Sequence, residues 1–248
     1  MGRVGRWGGL GKIPELYRRT SLHNDKGADK RCCPTLPKRT HKKSVKSVKN
    51  PLNPKFMNIL RQEVDAAVDA LLLQQVILYP TDTVWGLGCD AEAPPAVKEL
   101  YKLKGRPEDQ PSIVLVADLA MLERYAAQVP DDLEALLAAD AVPTTYILPA
   151  SRAVAVGLVA PDGTVGLRVV KDEFCFKVVR RLGHGLVSTS ANKAGEPTPA
   201  VYSEIDPAIL RGADHVVNWR QDDAARAAPS RVVRLGADGQ LEVVREYH

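Results

Sequence analysis

Apolar residues from position 58 onward recur at three- and four-residue spacings. Ile59, Leu60, Val64, Ala67, Val68 and Leu71 line up as one face of a helix, with Asn58 placed to cap it. The period then shortens. Val76-Ile77-Leu78-Tyr79 is continuous and apolar, as in a buried strand over 75–79, and it stops at Pro80. Between this strand and the next predicted helix lies "PTDTVWGLGCDA", read as a loop opening at the strand's end. Pro94-Pro95 starts a helix running to about Lys104, and "SIVLVA" (112–117) reads as another buried strand. Asp118 caps a helix through about Gln128, and a short helix follows Pro130. Strands are predicted at 145–150, 164–170, 185–190 and 215–218. The intervening helices begin at Asp172, ending at Gly183, and near 203–211. "RVVRL" and "LEVVR", joined by "GADGQ", form a hairpin. Alternating helices and strands closed by a hairpin imply a layered α/β domain with a mixed sheet.

Charge divides the chain in two. Residues 1–55 carry 15 Lys and Arg against Glu15, Asp25 and Asp29, a net of +12, so the overall +4 leaves −8 for the rest. With no sustained apolar period, residues 1–56 are expected to be a basic, disordered extension, and 57–248 the folded domain. The extension has three readings: an organelle-targeting peptide, a basic arm for nucleic acid, or sequence outside the natural protein. Met57, opening "MNILRQEVDAAVDALL", is the expected functional start. The longest apolar run, 66–73, is interrupted by Asp69 and falls short of a membrane span, so no membrane association is expected. Cys32-Cys33, Cys89 and Cys175 make no CxxC pair, which suits a reducing, cytoplasmic location.

Four segments concentrate polar chemistry. Thr81-Asp82-Thr83, with Gly86 and Gly88, sits where open α/β sheets place ligand loops. Lys104 and Arg106 flank one glycine, as suits a polyphosphate; the same cations also complement a helix dipole. "LVSTSANKAGEPTP" (186–199) ends a strand in three hydroxyls and reads either as an anion cradle or as a plain turn. Arg168 interrupts an apolar strand and needs a carboxylate, from the protein or from a substrate. The scattered histidines offer no catalytic dyad, and no metal-ligand spacing is present.

Taken in order, "YPTDTVWGLGCDA", "KGRPEDQPSIVLV", "LRVV", "LVSTSANKAGEPTP" and "APSRVVRL" resemble the Sua5/YrdC/YciO family over about residues 57–248. The resemblance implies a YrdC-like layered domain: a twisted mixed sheet flanked by helices, with a concave substrate groove. It implies L-threonylcarbamoyladenylate synthase activity, a nucleotidyl transfer. L-Threonine, bicarbonate or CO2, and ATP yield threonylcarbamoyl-AMP and pyrophosphate, for the t6A modification of tRNA by a threonylcarbamoyl-transferase machinery. Such a reaction needs positioning and charge stabilisation, without a covalent enzyme intermediate. Mg2+ would accompany ATP without a dedicated protein site.

By the same resemblance, Thr83, Arg168, Ser188 and Ser230 hold threonine. Lys104, Arg106, Gln110, Thr164, Ser190, Asn192, Thr198 and Arg245 hold ATP, with Lys104 and Arg106 positioning the reacting phosphates. Departures from the family pattern include Gln110 for asparagine, Leu115 for histidine, Val142 for glycine and Arg231 for threonine. Three other readings remain: a carbamoyl-adenylating enzyme, a YciO-like paralogue without this activity, and an RNA-binding module. The last expects a basic surface, which a body of net charge −8 does not promise.

Overall fold

The computed structural model describes residues 54–107, 110, 112–225, 228–236 and 238–247, all within the unit Val48–His248. The expectations for residues 1–53, including disorder, fall outside the described residues. Helix α1 spans Pro54–Leu72, so it is under way before Asn58, which is not its cap. It buries Leu60, Val64, Ala67, Val68 and Leu71, while Ile59 faces outward. Phe56, one residue ahead of Met57, packs its ring against Trp219 with centroids 4.4 Å apart.

The remaining helices are α2 (Pro94–Lys104), α3 (Leu119–Tyr125), α4 (Leu133–Ala139), α5 (Glu173–Leu182) and α6 (Pro207–Gly212). Asp118 and Asp172 cap α3 and α5 as expected, each carboxylate accepting from the backbone N–H three residues on. Strand β1 is Ile77–Tyr79, β2 Gly86–Gly88, β3 Ile113–Val116, β4 Thr144–Pro149 and β5 Thr164–Val169. Then follow β6 Leu186–Ser190, β7 His215–Val216, β8 Arg231–Leu235 and β9 Leu241–Arg245. The predicted helix near 203–211 divides into a 3-10 turn, Tyr202–Glu204, and α6, because Pro207 with Asp206 as its cap begins a new helix.

The strands form one nine-stranded sheet in the order β7-β1-β2-β6-β3-β5-β4-β8-β9. Pairings β1/β7, β3/β5 and β4/β8 are parallel and the rest antiparallel, so the sheet is mixed as the closing hairpin requires. Its central strands are buried on both faces. On one face α1 and α5 pack over Ile77, Tyr79, Leu115 and Leu186. On the other, α2 and α3 cover Leu78, Leu87, Val114 and Val187.

Strand β2 corrects the reading of 80–91 as one open loop. Gly86 to Gly88 insert between β1 and β6, pairing antiparallel with both. A Cβ on Gly88 would lie 2.0 Å from the carbonyl oxygen of Val187, so only glycine lets the two backbones come this close.

Candidate active site

The registers Ile113↔Ser188 and Leu115↔Arg168 put these four residues on one face of three adjacent strands. Three of them, Ile113, Ser188 and Arg168, border a cavity of about 210 Å³. The opening loop supplies Thr83 and Trp85, β6 supplies Ser188 to Ser190, and Arg106, Thr198, Ser230 and Arg245 complete the wall. Every charged residue among these lining residues is an arginine.

Arg168 is the centre of one half. Its residue is 2% exposed, and a guanidinium so buried must be neutralised. Asp82 lies 3.1 Å away, and Nη1 donates to the Thr83 hydroxyl at 3.2 Å. Nε has no hydrogen-bond partner, and neither carboxylate oxygen of Asp82 accepts a well-aligned hydrogen bond. A protein carboxylate thus balances its charge, as one of the two sequence readings has it, and Nε is buried without a partner on a residue that lines the cavity. The opening loop is held by its own hydroxyls. Thr81 Oγ1 donates to Val84 O and accepts from the Thr83 N–H, fixing Thr83 toward Arg168. Across the groove, Ser230 shares a 2.9 Å hydrogen bond with Thr145, and Arg245 donates twice to the Ser230 carbonyl. Burial, with Arg168 nearby, lowers the pKa of Arg245.

The other half gathers Arg106, Thr189, Ser190 and Thr198. Gly105 ends α2 in the left-handed region, φ 60°, turning Arg106 back so that Nη1 reaches the Thr189 hydroxyl at 3.0 Å. Lys104 lies beneath this surface, 2% exposed, donating to the carbonyls of Ser190 (2.5 Å) and Asn192 (2.6 Å). It thus ties α2 to the turn after β6. Burial first, and Arg106 second, bring its pKa down to about 8.

Three expected nucleotide ligands are placed differently from the rest. Thr164 is not brought to the groove: at the start of β5, its hydroxyl donates to Asp162 at 2.6 Å. Asn192 does not line the cavity; its amide braces the turn by donating to Lys193 O and Glu196 O, while Oδ1 is buried without a partner. Gln110 is exposed, and its backbone carbonyl accepts from Arg106 Nε.

Some site features escaped the sequence reading. Ser112 lines the groove with a buried hydroxyl lacking a partner, although "QPSIVLV" reads only as a strand entry. Thr145 looked like any β-branched strand residue. Arg231, a departure from the family pattern, does not intrude on the groove: it pairs with Asp140 at 2.9 Å, and Asp140 also accepts from Tyr146.

The buried Lys104 sets a pH dependence. Its lowered pKa means the ammonium is present below about pH 8 and lost above it. The ATP site that the sequence resemblance implies here would favour the ammonium, so ATP is expected to bind most tightly below pH 8 and weaken as pH rises through 8 to 9. Binding near pH 8 should take up a proton. Calorimetry of ATP alone in buffers of different ionisation enthalpy reads both effects, and Lys104→Met should abolish the proton uptake.

Fold and groove together define an α/β domain equipped to hold small anionic ligands at its strand ends. The family model Sua5_yciO_yrdC, described as "Telomere recombination", matches residues 69–246. A threonylcarbamoyl-AMP synthase of Xanthomonas campestris is 36% identical over 177 residues, covering 70% of this chain and 95% of that protein. The structure of P. abyssi Sua5 complexed with L-threonine superposes with TM-score 0.67 at 26% identity, over 75% of this chain and 54% of the longer Sua5 chain. E. coli YciO superposes with TM-score 0.64 at 26% identity, over 76% of this chain and 90% of its own. The chain belongs to the Sua5/YciO/YrdC family.

Proposed function

We propose that the protein is an L-threonylcarbamoyladenylate synthase. The observation that carries this reading is Arg168, a buried guanidinium whose Nε has no partner, in the wall of a groove whose charged lining residues, among the described residues, are all arginines. The relatives' names point the same way: a threonylcarbamoyl-AMP synthase, and a Sua5 seen with L-threonine.

The threonine carboxylate docks on Arg168, with Thr83, Ser188 and Ser230 supplying hydroxyls around it. The free α-amine attacks bicarbonate, forming the carbamate C–N bond and releasing water, or attacks CO2 and loses a proton. A carbamate oxygen then attacks the α-phosphorus of ATP and pyrophosphate leaves. Arg106 and Arg245 face the phosphates, and Lys104 adds charge from below while holding the turn that presents Ser190. Asn192 acts through that turn, and Thr198 lines the nucleotide side. Thr164 and Gln110 have no direct role in this arrangement. The work is placement and charge, with no side-chain nucleophile. Among the described residues the charged lining is all arginine, which suits phosphate and not a divalent cation, so Mg2+ would arrive with ATP and be held by it.

The product supplies the transferase that modifies tRNA, which places the reaction in the cytoplasm. No helix among the described residues is long and apolar enough to cross a membrane. Residues 57–248 carry the reaction, with Pro54 to Phe56 extending α1 ahead of them, and residues 1–56 are dispensable for the chemistry. The experiment is incubation of the full chain, and of the chain begun at Met57, with ATP, bicarbonate and labelled threonine. Pyrophosphate should appear with both, only when threonine is present, with serine a poorer substrate by roughly 10- to 200-fold for its missing methyl. Release without any amino acid would favour carbamoyl adenylation, and none at all would favour a YciO-like paralogue.

A further inference from the structure

Behind the opening loop lies a second cavity, of about 230 Å³, sharing Thr83 and Trp85 with the groove and bordered by Asp82, Arg220 and Asp223. Arg220 is one of two non-glycine residues at positive φ among the described residues, at 58°. A branched backbone position of this kind is sparsely populated for residues with a Cβ, and holding one there costs stability that other contacts must offset. The side chain shows where those contacts are. Nη1 lies 2.7 Å from Asp172, the cap of α5, and 3.3 Å from the carbonyl of Thr81, while Nε donates to Asp223 at 2.8 Å. One guanidinium thus joins the turn after β7, the first turn of α5 and the opening loop.

Thr81 is the residue whose hydroxyl accepts from the Thr83 N–H, and Asp82 beside it neutralises Arg168. From this chain of contacts we infer that Arg220 is a positioning residue for the amino-acid half of the groove, acting through Thr81 and Asp82 on Thr83 and Arg168. The left-handed backbone aims its guanidinium back under the loop, where a residue in extended conformation would send it elsewhere. Arg220 does not line the groove, so its influence reaches substrate only through the loop. On the phosphate side, Lys104 holds the carbonyls of Ser190 and Asn192 and Arg106 reaches Thr189, all away from the residues that Arg220 joins.

This rests on the threonine-dependent reaction proposed above, and the test separates the two. Arg220→Gly removes the side chain and accommodates the positive φ, so a loss of function cannot come from backbone strain. In steady-state assays of pyrophosphate release, the threonine KM should rise about tenfold or more with the ATP KM within about twofold of the parent. Asp172→Asn, which keeps the helix cap but weakens the partner charge, should shift the threonine KM in the same direction. The double variant should be less than additive, since both changes break one network. An unchanged threonine KM in Arg220→Gly would overturn the inference. So would equal rises in both KM values with a lowered melting temperature, which would mark Arg220 as a general brace. If the parent protein itself shows no threonine-dependent release, the failure lies with the reaction assigned, not with Arg220.

Discussion

Arg168→Ala should lose threonine-dependent pyrophosphate release by roughly 10²- to 10⁴-fold in kcat/KM, the largest effect expected of any single change in the groove. A charge-assisted hydrogen bond contributes about 1.5–3 kcal/mol, and a carboxylate on a guanidinium makes two. Each ~1.4 kcal/mol is a factor of ten. A second cost adds to this. Asp82, whose side chain is 13% exposed, would be left without the cation 3.1 Å from it. Arg168→Lys should recover little, since an ammonium cannot reach Thr83, Asp82 and a substrate carboxylate in the geometry of a planar fork. ATP binding, measured directly by calorimetry, should change by less than about threefold in both variants, because the proposed phosphate site lies at Arg106 and Arg245. Equal loss of ATP affinity, or normal threonine use, would show that Arg168 does not hold the amino acid.

Gly88→Ala should have the largest effect on stability. The new Cβ would fall 2.0 Å from the Val187 carbonyl oxygen and 2.9 Å from a Tyr79 ring carbon. The first obstacle is backbone, in the middle of the sheet, so β2 must move away from β6. Overpacking of this kind costs about 1–3 kcal/mol and more where the main chain cannot yield. The shift would also carry Gly86 away from Ser190, its partner in β6, and so disturb the groove. Urea unfolding should show a midpoint lowered accordingly, with threonine use impaired even in the folded fraction. A midpoint equal to the parent's would mean that the strands part more easily than this packing implies.

That same strand shows where sequence reading stopped. The long strands and helices announced themselves through periodicity: Leu60, Val64 and Val68 on one helix face, Val114 and Val116 in a continuous apolar run. Strand β2 carried no such signal. Two of its three residues are glycines, which propensity assigns to turns; β1 is close by in sequence, but the pairing with β6 depends on contacts about 100 residues away. The site was legible in the same uneven way. Thr83, Arg106, Arg168, Ser188, Ser190, Thr198, Ser230 and Arg245 line one cavity, from segments the sequence had marked. What it did not mark were partners. The pairing of Arg168 with Asp82, of Arg231 with Asp140, and of Arg220 with Asp172 joins residues between 48 and 91 positions apart, and no local pattern encodes them. Thr164 was marked for the groove and is not among the residues lining the cavity; its hydroxyl donates to Asp162, two residues before it.

Arg245 ends β9, the outermost strand of the sheet, where Val243 and Val244 are more than half exposed. A strand with one neighbour and little buried surface opens at a lower free energy than the centre of the sheet. When the β8–β9 hairpin frays, Arg245 leaves the groove and its two bonds to the Ser230 carbonyl break, while the core around Arg168 remains folded. The protein is therefore built to lose the Arg245 side of its groove before it loses its fold. Heat inactivation would run ahead of melting, and anything that shelters that edge would raise the working temperature of the site without touching its chemistry.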